Sequence, residues 1–338
     1  MRGVILPRMN PLPPTKISRA SAVRALAILL LLALGSCSTP SSPTAEQLVL
    51  DGIARAERKD FGGAAASFRR ALALRPDDAD TRYNLGLALL ERGDLAGAEA
   101  ELRRVLELRP GDAEAWHGLG QAAFNRRDYA AAIAAFDRAL TLDAGLVDTV
   151  YSRALARRRR GDFDGAFADY DRAVALAPDY WRAYNGRATT RNAHGDFAIA
   201  IPDYERRIEL EPAGSEYAWF QRSLLRRRLG RDPELAGLAT EVARWPDEWP
   251  KTVGQFLLGR IAADELLRLA AAPADAQTRR EQLCEANYYV GITALLAGRT
   301  DEARERFQTC VATGVDVFLE HLLSRSELAR MGATSAKP

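Results

Sequence analysis

Three cysteines, three histidines and four lysines are all that the 338 residues contain. So small a stock excludes whole classes of chemistry. No His-Glu-x-x-His occurs, and neither Cys37, Cys284 and Cys310 nor His117, His194 and His321 fall at metal-ligand spacing. No Gly-x-Ser-x-Gly elbow and no phosphate-binding Gly-rich loop ending in Gly-Lys is present. His321 follows Glu320 on a predicted helix and reads as a capping or packing residue. Carboxylates are abundant, but on amphipathic helices they make solvent faces. Acid is missing from residues 1–24, and the one long apolar run, Ala25 to Leu34, is too short for a permanent membrane span. The expectation is a non-enzymatic chain with no cofactor and no metal.

What the chain does have is a period. Ala64, Ala98, Ala132, Ala166 and Ala200 stand 34 residues apart. The same step links Gly52, Gly86, Gly120, Ala154 and Ala188. It also links Phe68, Leu102, Phe136, Tyr170 and Tyr204. Proline closes the unit at Pro76, Pro110, Pro178 and Pro212, with Ala144 in the middle unit. Each unit reads as two helices: a small residue on the first lets the second pack close, and the ring or leucine fills the gap to the neighbouring unit. Between the helices Gly93-Asp94, Gly161-Asp162 and Gly195-Asp196 stop one helix and cap the next. A 34-residue helix pair in register is the mark of a tetratricopeptide-repeat (TPR) array. No unit can bury its apolar face alone, so stacking makes the core. The fold class expected is all-α: a TPR helical solenoid of antiparallel helix pairs in a right-handed superhelix, with degenerate C-terminal repeats and a capping helix.

Units four and five carry Arg153, Arg157, Arg187 and Arg191 where apolar residues are common, and place Asp169 and Asp203 before the packing tyrosine. A buried guanidinium needs a carboxylate, so the spacing predicts Arg–Asp pairs between helices. The other arginine runs, Arg157–Arg160 and Arg226–Arg228, read as solvated faces.

The N-terminus reads as a signal. Arg2, Arg8, Lys16, Arg19 and Arg24 precede the apolar run, which ends Leu34-Gly35-Ser36-Cys37. This resembles the lipobox of bacterial lipoproteins, in which the cysteine is lipidated and becomes the first residue of the mature chain. An ordinary signal peptide with an incidental cysteine is the alternative, and Met9 is a second candidate start. Ser38 fits export to the outer membrane by that analogy. Residues Ser38 to Thr44 read as a flexible tether. Removing the five basic residues leaves 42 basic against 45 acidic side chains, and nothing argues for nucleic acid.

The expected organisation is a signal peptide at 1–36, the lipidated Cys37 and tether at 37–44, and five regular units at 45–214. A degenerate repeat with connecting helices follows at 215–280, then a terminal repeat-like unit and capping helix at 281–332, and a disordered tail at 333–338. After Pro212 the register slips by one residue. Helices are expected around 252–258 and 262–271, a polar loop from Ala272, and a last helix near 315–331. In the terminal unit Cys284 and Cys310 fall at places one and 27, so an antiparallel hairpin would bring them together. A disulfide is the expectation in an oxidising periplasm, two reduced buried thiols the alternative.

The tail carries a narrower resemblance. Trp249-Pro250-Lys251 with Phe256-Leu257-Leu258-Gly259, Glu285-Ala286-Asn287-Tyr288-Tyr289-Val290-Gly291, and Phe318-Leu319-Glu320-His321 with Glu327-Leu328 resemble the NlpI-type TPR lipoproteins. The repeat ladder here is longer and more regular than in that family. The resemblance implies a lipid-anchored, periplasm-facing outer-membrane adaptor. Members hold the tail-specific protease Prc, bring peptidoglycan hydrolases to it, scaffold wall synthesis and can dimerise. A pilot lipoprotein for secretin or type IV pilus assembly is the first alternative; a cell-wall enzyme is disfavoured.

In such arrays the first helices line the concave surface. Here that stripe gives Tyr83, Leu87, His117, Gln121, Phe124, Tyr151, Leu155, Arg158, Asn185, Thr189 and Asn192, edged by the acids Glu46, Asp80, Glu114 and Asp148. The mixture suits an extended or helical peptide. It lacks the Lys/Asn arrangement of carboxylate clamps. About half of these residues are expected to be exposed.

Overall fold

The computed structural model describes residues 42–231, 235–246 and 248–335. The expected signal peptide, Cys37 as the expected lipidation site, most of the expected tether and residues 336–338 lie outside the described residues. Among the described residues there are seventeen α-helices and no strand, as an all-α helical solenoid requires. None of these helices is long and apolar enough to cross a membrane.

The helices form two compact units that meet in sequence at Leu176 and Ala177. The division falls between the fourth and fifth repeats, whereas the sequence register breaks only after Pro212. The first unit holds four helix pairs: α1 (Ala45–Glu57) with α2 (Phe61–Leu74), α3 (Ala79–Glu91) with α4 (Leu95–Leu108), α5 (Ala113–Asn125) with α6 (Tyr129–Leu142), and α7 (Val147–Arg160) with α8 (Phe163–Leu176). The fifth pair, α9 (Trp181–His194) and α10 (Phe197–Leu210), opens the second unit.

Caps set the starts of the helices. The Asp60, Asp94, Asp128 and Asp162 carboxylates accept the backbone N–H three residues on, at 2.9–3.0 Å, and so start α2, α4, α6 and α8. The residue before each aspartate adopts a left-handed backbone. It is glycine at Gly93, Gly161 and Gly195, but Lys59 and Arg127 take the same conformation in repeats one and three. The turn geometry therefore belongs to the repeat rather than to the glycine.

The repeating alanines Ala64, Ala98, Ala132, Ala166 and Ala200 are fully buried, as are Phe68, Leu102, Phe136 and Tyr170. The small residue on the first helix is sterically required: a Cβ on Gly120 would lie 2.3 Å from the Phe136 ring. Gly120→Ala is expected to destabilise the first unit by about 1–3 kcal/mol. Phe136→Leu should relieve part of the loss, since Leu102 sits opposite Gly86 at the same register. Amide hydrogen exchange in α5 and α6 of the three proteins checks this; unchanged protection in Gly120→Ala would discard the close-packing argument.

Beyond the ladder the second unit continues with α11 (Glu216–Arg228), α12 (Ala236–Arg244), α13 (Trp249–Leu257) and α14 (Ala263–Ala271). The long α15 (Ala276–Leu296) pairs with α16 (Thr300–Ala312), and α17 (Leu319–Ser335) closes the chain. Two sequence expectations are corrected here. The terminal helix starts at Ala276, not near 281–284, because Asp275 caps it by accepting the Thr278 N–H at 2.6 Å. The polar loop from Ala272 shrinks accordingly. The last helix starts at Leu319, after Gly314 turns the chain with φ 70°, and runs to Ser335, three residues into the stretch expected as a disordered tail.

Candidate partner-binding surfaces

In four of the five regular helix pairs, a polar side chain at one register of the second helix bonds to the first helix. Ser67 Oγ donates to Asp51 at 2.5 Å in repeat one, and Arg82 pairs with Glu101 at 2.8 Å in repeat two. In repeat four Asp169 accepts from Arg153 Nε at 2.9 Å, Arg153 Nη2 at 2.5 Å and Arg157 Nη1 at 2.8 Å. Arg153 Nη1 also reaches back to Asp137 of repeat three at 2.6 Å. Burial opposes the Arg153 charge, but its carboxylate partners outweigh that and raise its pKa. Repeat five repeats the arrangement, with Asp203 accepting from Arg187 and Arg191 at 2.6–2.9 Å. Repeat three has Leu119, Ala123 and Ala135 at these places and no ion pair between its helices among the described residues.

The inner stripe is more enclosed than its sequence suggests. In the first unit Tyr83, Leu87, Gln121, Tyr151, Leu155 and Arg158 are buried, and His117 and Phe124 are half-buried. In the second unit Thr189 and Asn192 are buried and Asn185 is half-buried. The expectation that about half would be exposed is corrected. Successive first helices contact one another along this stripe: His117 Nδ1 lies 2.9 Å from Thr149 Oγ1, and Asn192 Nδ2 donates to Gln221 at 3.1 Å. The acidic edge is partly neutralised, since Glu46 pairs with Arg75 and Asp80 with Arg109.

The second unit holds a polar cluster that sequence reasoning passed over. Glu285 is fully buried; its Oε2 accepts from Tyr217 at 2.8 Å and from Trp249 Nε1 at 2.9 Å. Glu320, also fully buried, accepts from Tyr289 at 2.9 Å. The second oxygen of each has no hydrogen-bond partner among the described residues. Burial pushes both carboxyls up, Glu320 to about 7 and Glu285 well above the ordinary range, the latter helped by the Glu320 charge. Glu327 is the contrast. Burial raises it, but hydrogen bonds from Arg228 and Arg330 prevail and hold it below the usual value. Glu285 lies four residues before Tyr289 in a stretch of α15, Cys284 to Ile292, that is buried on every face, polar side chains included.

Cys284 and Cys310 are both fully buried, with Sγ atoms 3.1 Å apart across the α15–α16 hairpin. Each thiol's proximity to the other, with burial, pushes the Cys284 thiol far up. No group of three or more metal-ligating side chains stands together among the described residues.

Residues 55–123, 89–158 and 151–218 match the tetratricopeptide-repeat family. Among solved structures, MamA protein is 25% identical, covering 51% of this chain and 94% of its own, with TM-score 0.43. YrrB, described as a TPR protein with an unusual peptide-binding site, is 21% identical over 56% of this chain and 97% of its own, with TM-score 0.45. A thermophilic TPR protein of Thermus thermophilus, TTC0263, is 19% identical over 51% and 93%, with TM-score 0.45.

Proposed function

We propose that this TPR protein is a non-enzymatic adaptor, anchored through lipid on Cys37 in a bacterial outer membrane and facing the periplasm. Its repeats would dock envelope proteins, among them peptidoglycan hydrolases and a tail-specific protease. The observation that carries the adaptor reading is the array itself, since stacked helix pairs in register present an extended surface and TPR proteins bind peptides or proteins. Support for the anchor is the sequence Leu34-Gly35-Ser36-Cys37 after a basic, acid-free stretch. Support for the partners is the likeness of the tail segments to NlpI-type lipoproteins.

Two measurements test this. Cys37→Ala should shift the protein from the membrane fraction to the soluble periplasm; retention in the membrane would discard the lipid anchor. Periplasmic crosslinking and pulldown should recover a protease and wall hydrolases. Recovery of secretin subunits without either would replace this reading by a pilot role.

An oxidising periplasm should also close the Cys284–Cys310 bridge. Both thiols are buried, so native protein would resist alkylation in either state. The test is alkylation in denaturant without reductant. No label is expected, and two labels after reduction. The bridge should add on the order of 3 kcal/mol to the hairpin. Two labels before reduction would show that it is absent.

A further inference from the structure

Repeat three, which lacks the tie, borders a cleft of about 640 Å³ between α4, α5 and α6. Its floor is apolar: Leu106, Trp116 and Leu119, with Ala134 and Ala135 on the α6 wall. In repeats one, two, four and five, Ser67, Glu101, Asp169 and Asp203 stand where Ala135 does here, each bonded to the first helix. The cleft uses a different face of α5 from the inner stripe. Trp116, Leu119 and Ala123 point into it, whereas His117, Gln121 and Phe124 belong to that stripe.

Two features say what would fill it. The rim carries more positive than negative charge. Arg103 and Arg126 share the single Glu99 carboxylate, and Glu107 is tied to Arg104. Arg138 lies 5.8 Å above the Trp116 ring and has no anionic partner among the described residues. The Trp116 indole N–H is buried and donates to nothing among the described residues, leaving a donor for an incoming carbonyl or carboxylate. We propose that this cleft is a second docking site, which takes an acidic amphipathic segment of a partner protein. One large apolar side chain would enter against Trp116 and Leu119, and flanking carboxylates would meet Arg126 and Arg138. This pairing of an apolar anchor with a charged rim is how short helical segments are held in grooves. The proposal does not depend on the lipid anchor or on the inner stripe.

The decisive variant borrows the chain's own chemistry. Leu119→Arg with Ala135→Asp writes the Arg153–Asp169 pair of repeat four into repeat three, filling the cleft with a contact that the fold already uses. Ala134→Glu, at an exposed α6 position, is an independent arm that puts a carboxylate in its mouth. The probes are two synthetic amphipathic peptides of leucine and phenylalanine, identical except for glutamate or lysine on the polar face, read by fluorescence anisotropy at two salt concentrations. The glutamate peptide should bind at least tenfold more tightly than the lysine one, and salt should weaken it. Either variant should reduce its affinity tenfold or more, while a substitution in the inner stripe, Gln121→Ala, should leave it unchanged. Equal binding of both peptides, no binding of either, or undiminished binding to Ala134→Glu would overturn the proposal.

Discussion

Replacing Asp169 by alanine is expected to destabilise the first unit by about 3–5 kcal/mol, the loss typical when one partner of a buried ion pair is removed. The carboxylate is almost fully buried and holds two guanidiniums, those of Arg153 and Arg157. Asp137 is half exposed and meets Arg153 through a single nitrogen, so it would offset only part of the loss. Removing the whole cluster should hurt far less. The triple variant Arg153→Leu, Arg157→Ala, Asp169→Ala copies Leu119, Ala123 and Ala135 of repeat three, which packs without the cluster. It is expected to lose less than Asp169→Ala, because no buried charge is left unpaired, although the smaller side chains leave open space of the kind seen in repeat three. Two compact units make global unfolding ambiguous, so amide hydrogen exchange in α7 and α8 is the measurement. Similar losses of protection in the single and triple variants would mean that the cluster contributes more than desolvation arithmetic allows.

The regular part of this fold was legible because each repeat makes the same demands. Ala64 and its four successors, the rings that follow, and the aspartates before the second helices all fall where the 34-residue step puts them. The Arg153–Asp169 and Arg187–Asp203 pairs were legible too, because a charged residue at a core register needs an answering charge. What the period could not carry was anything specific to one repeat or outside it. The cleft beside Trp116 is lined by Ala135, an ordinary residue by composition that stands where its equivalents carry a polar group. The start of α15 depends on one capping aspartate in a stretch that otherwise reads as loop. Exposure along the inner stripe depends on how closely successive first helices approach, which repeat spacing leaves open. Glu285 and Glu320 lie 35 residues apart on separate helices, and only the folded second unit shows that they are buried together.

That pair yields the other large effect. Around Glu285 stand Tyr217 of α11, Trp249 of α13, Cys284 of its own helix and Glu320 of α17; around Glu320 stand Tyr289 and Glu285 of α15. Among the described residues no cation bonds either carboxyl. Each is raised in the folded chain above its ordinary value of 4.5, Glu320 to about 7. Between those values the folded state holds a proton that the unfolded chain has released, so stability must fall as pH rises. The slope approaches about 1.4 kcal/mol per pH unit for each extra proton. The Glu320 contribution is therefore fully present below about pH 4.5 and is lost as pH climbs through about 7. Glu320→Gln keeps an acceptor for Tyr289 and removes the titration. The two proteins should be similarly stable near pH 4.5. By about pH 7 the variant should lead by on the order of 2–3 kcal/mol. Comparing them at each pH cancels other titrating groups, including the Glu327 carboxyl, whose lowered value works in the opposite sense at lower pH. Glu285→Gln should show the same sign over a window reaching higher pH. Loosening should appear first where the start of α17 meets α15, while the Arg228–Glu327–Arg330 cluster still holds the later turns of α17 to α11. Hydrogen exchange of α17 at pH values from about 5 to 8, corrected for intrinsic rates, reads this directly. Parallel wild-type and Glu320→Gln profiles across that range would mean that the buried carboxyl does not carry an extra proton in the folded chain.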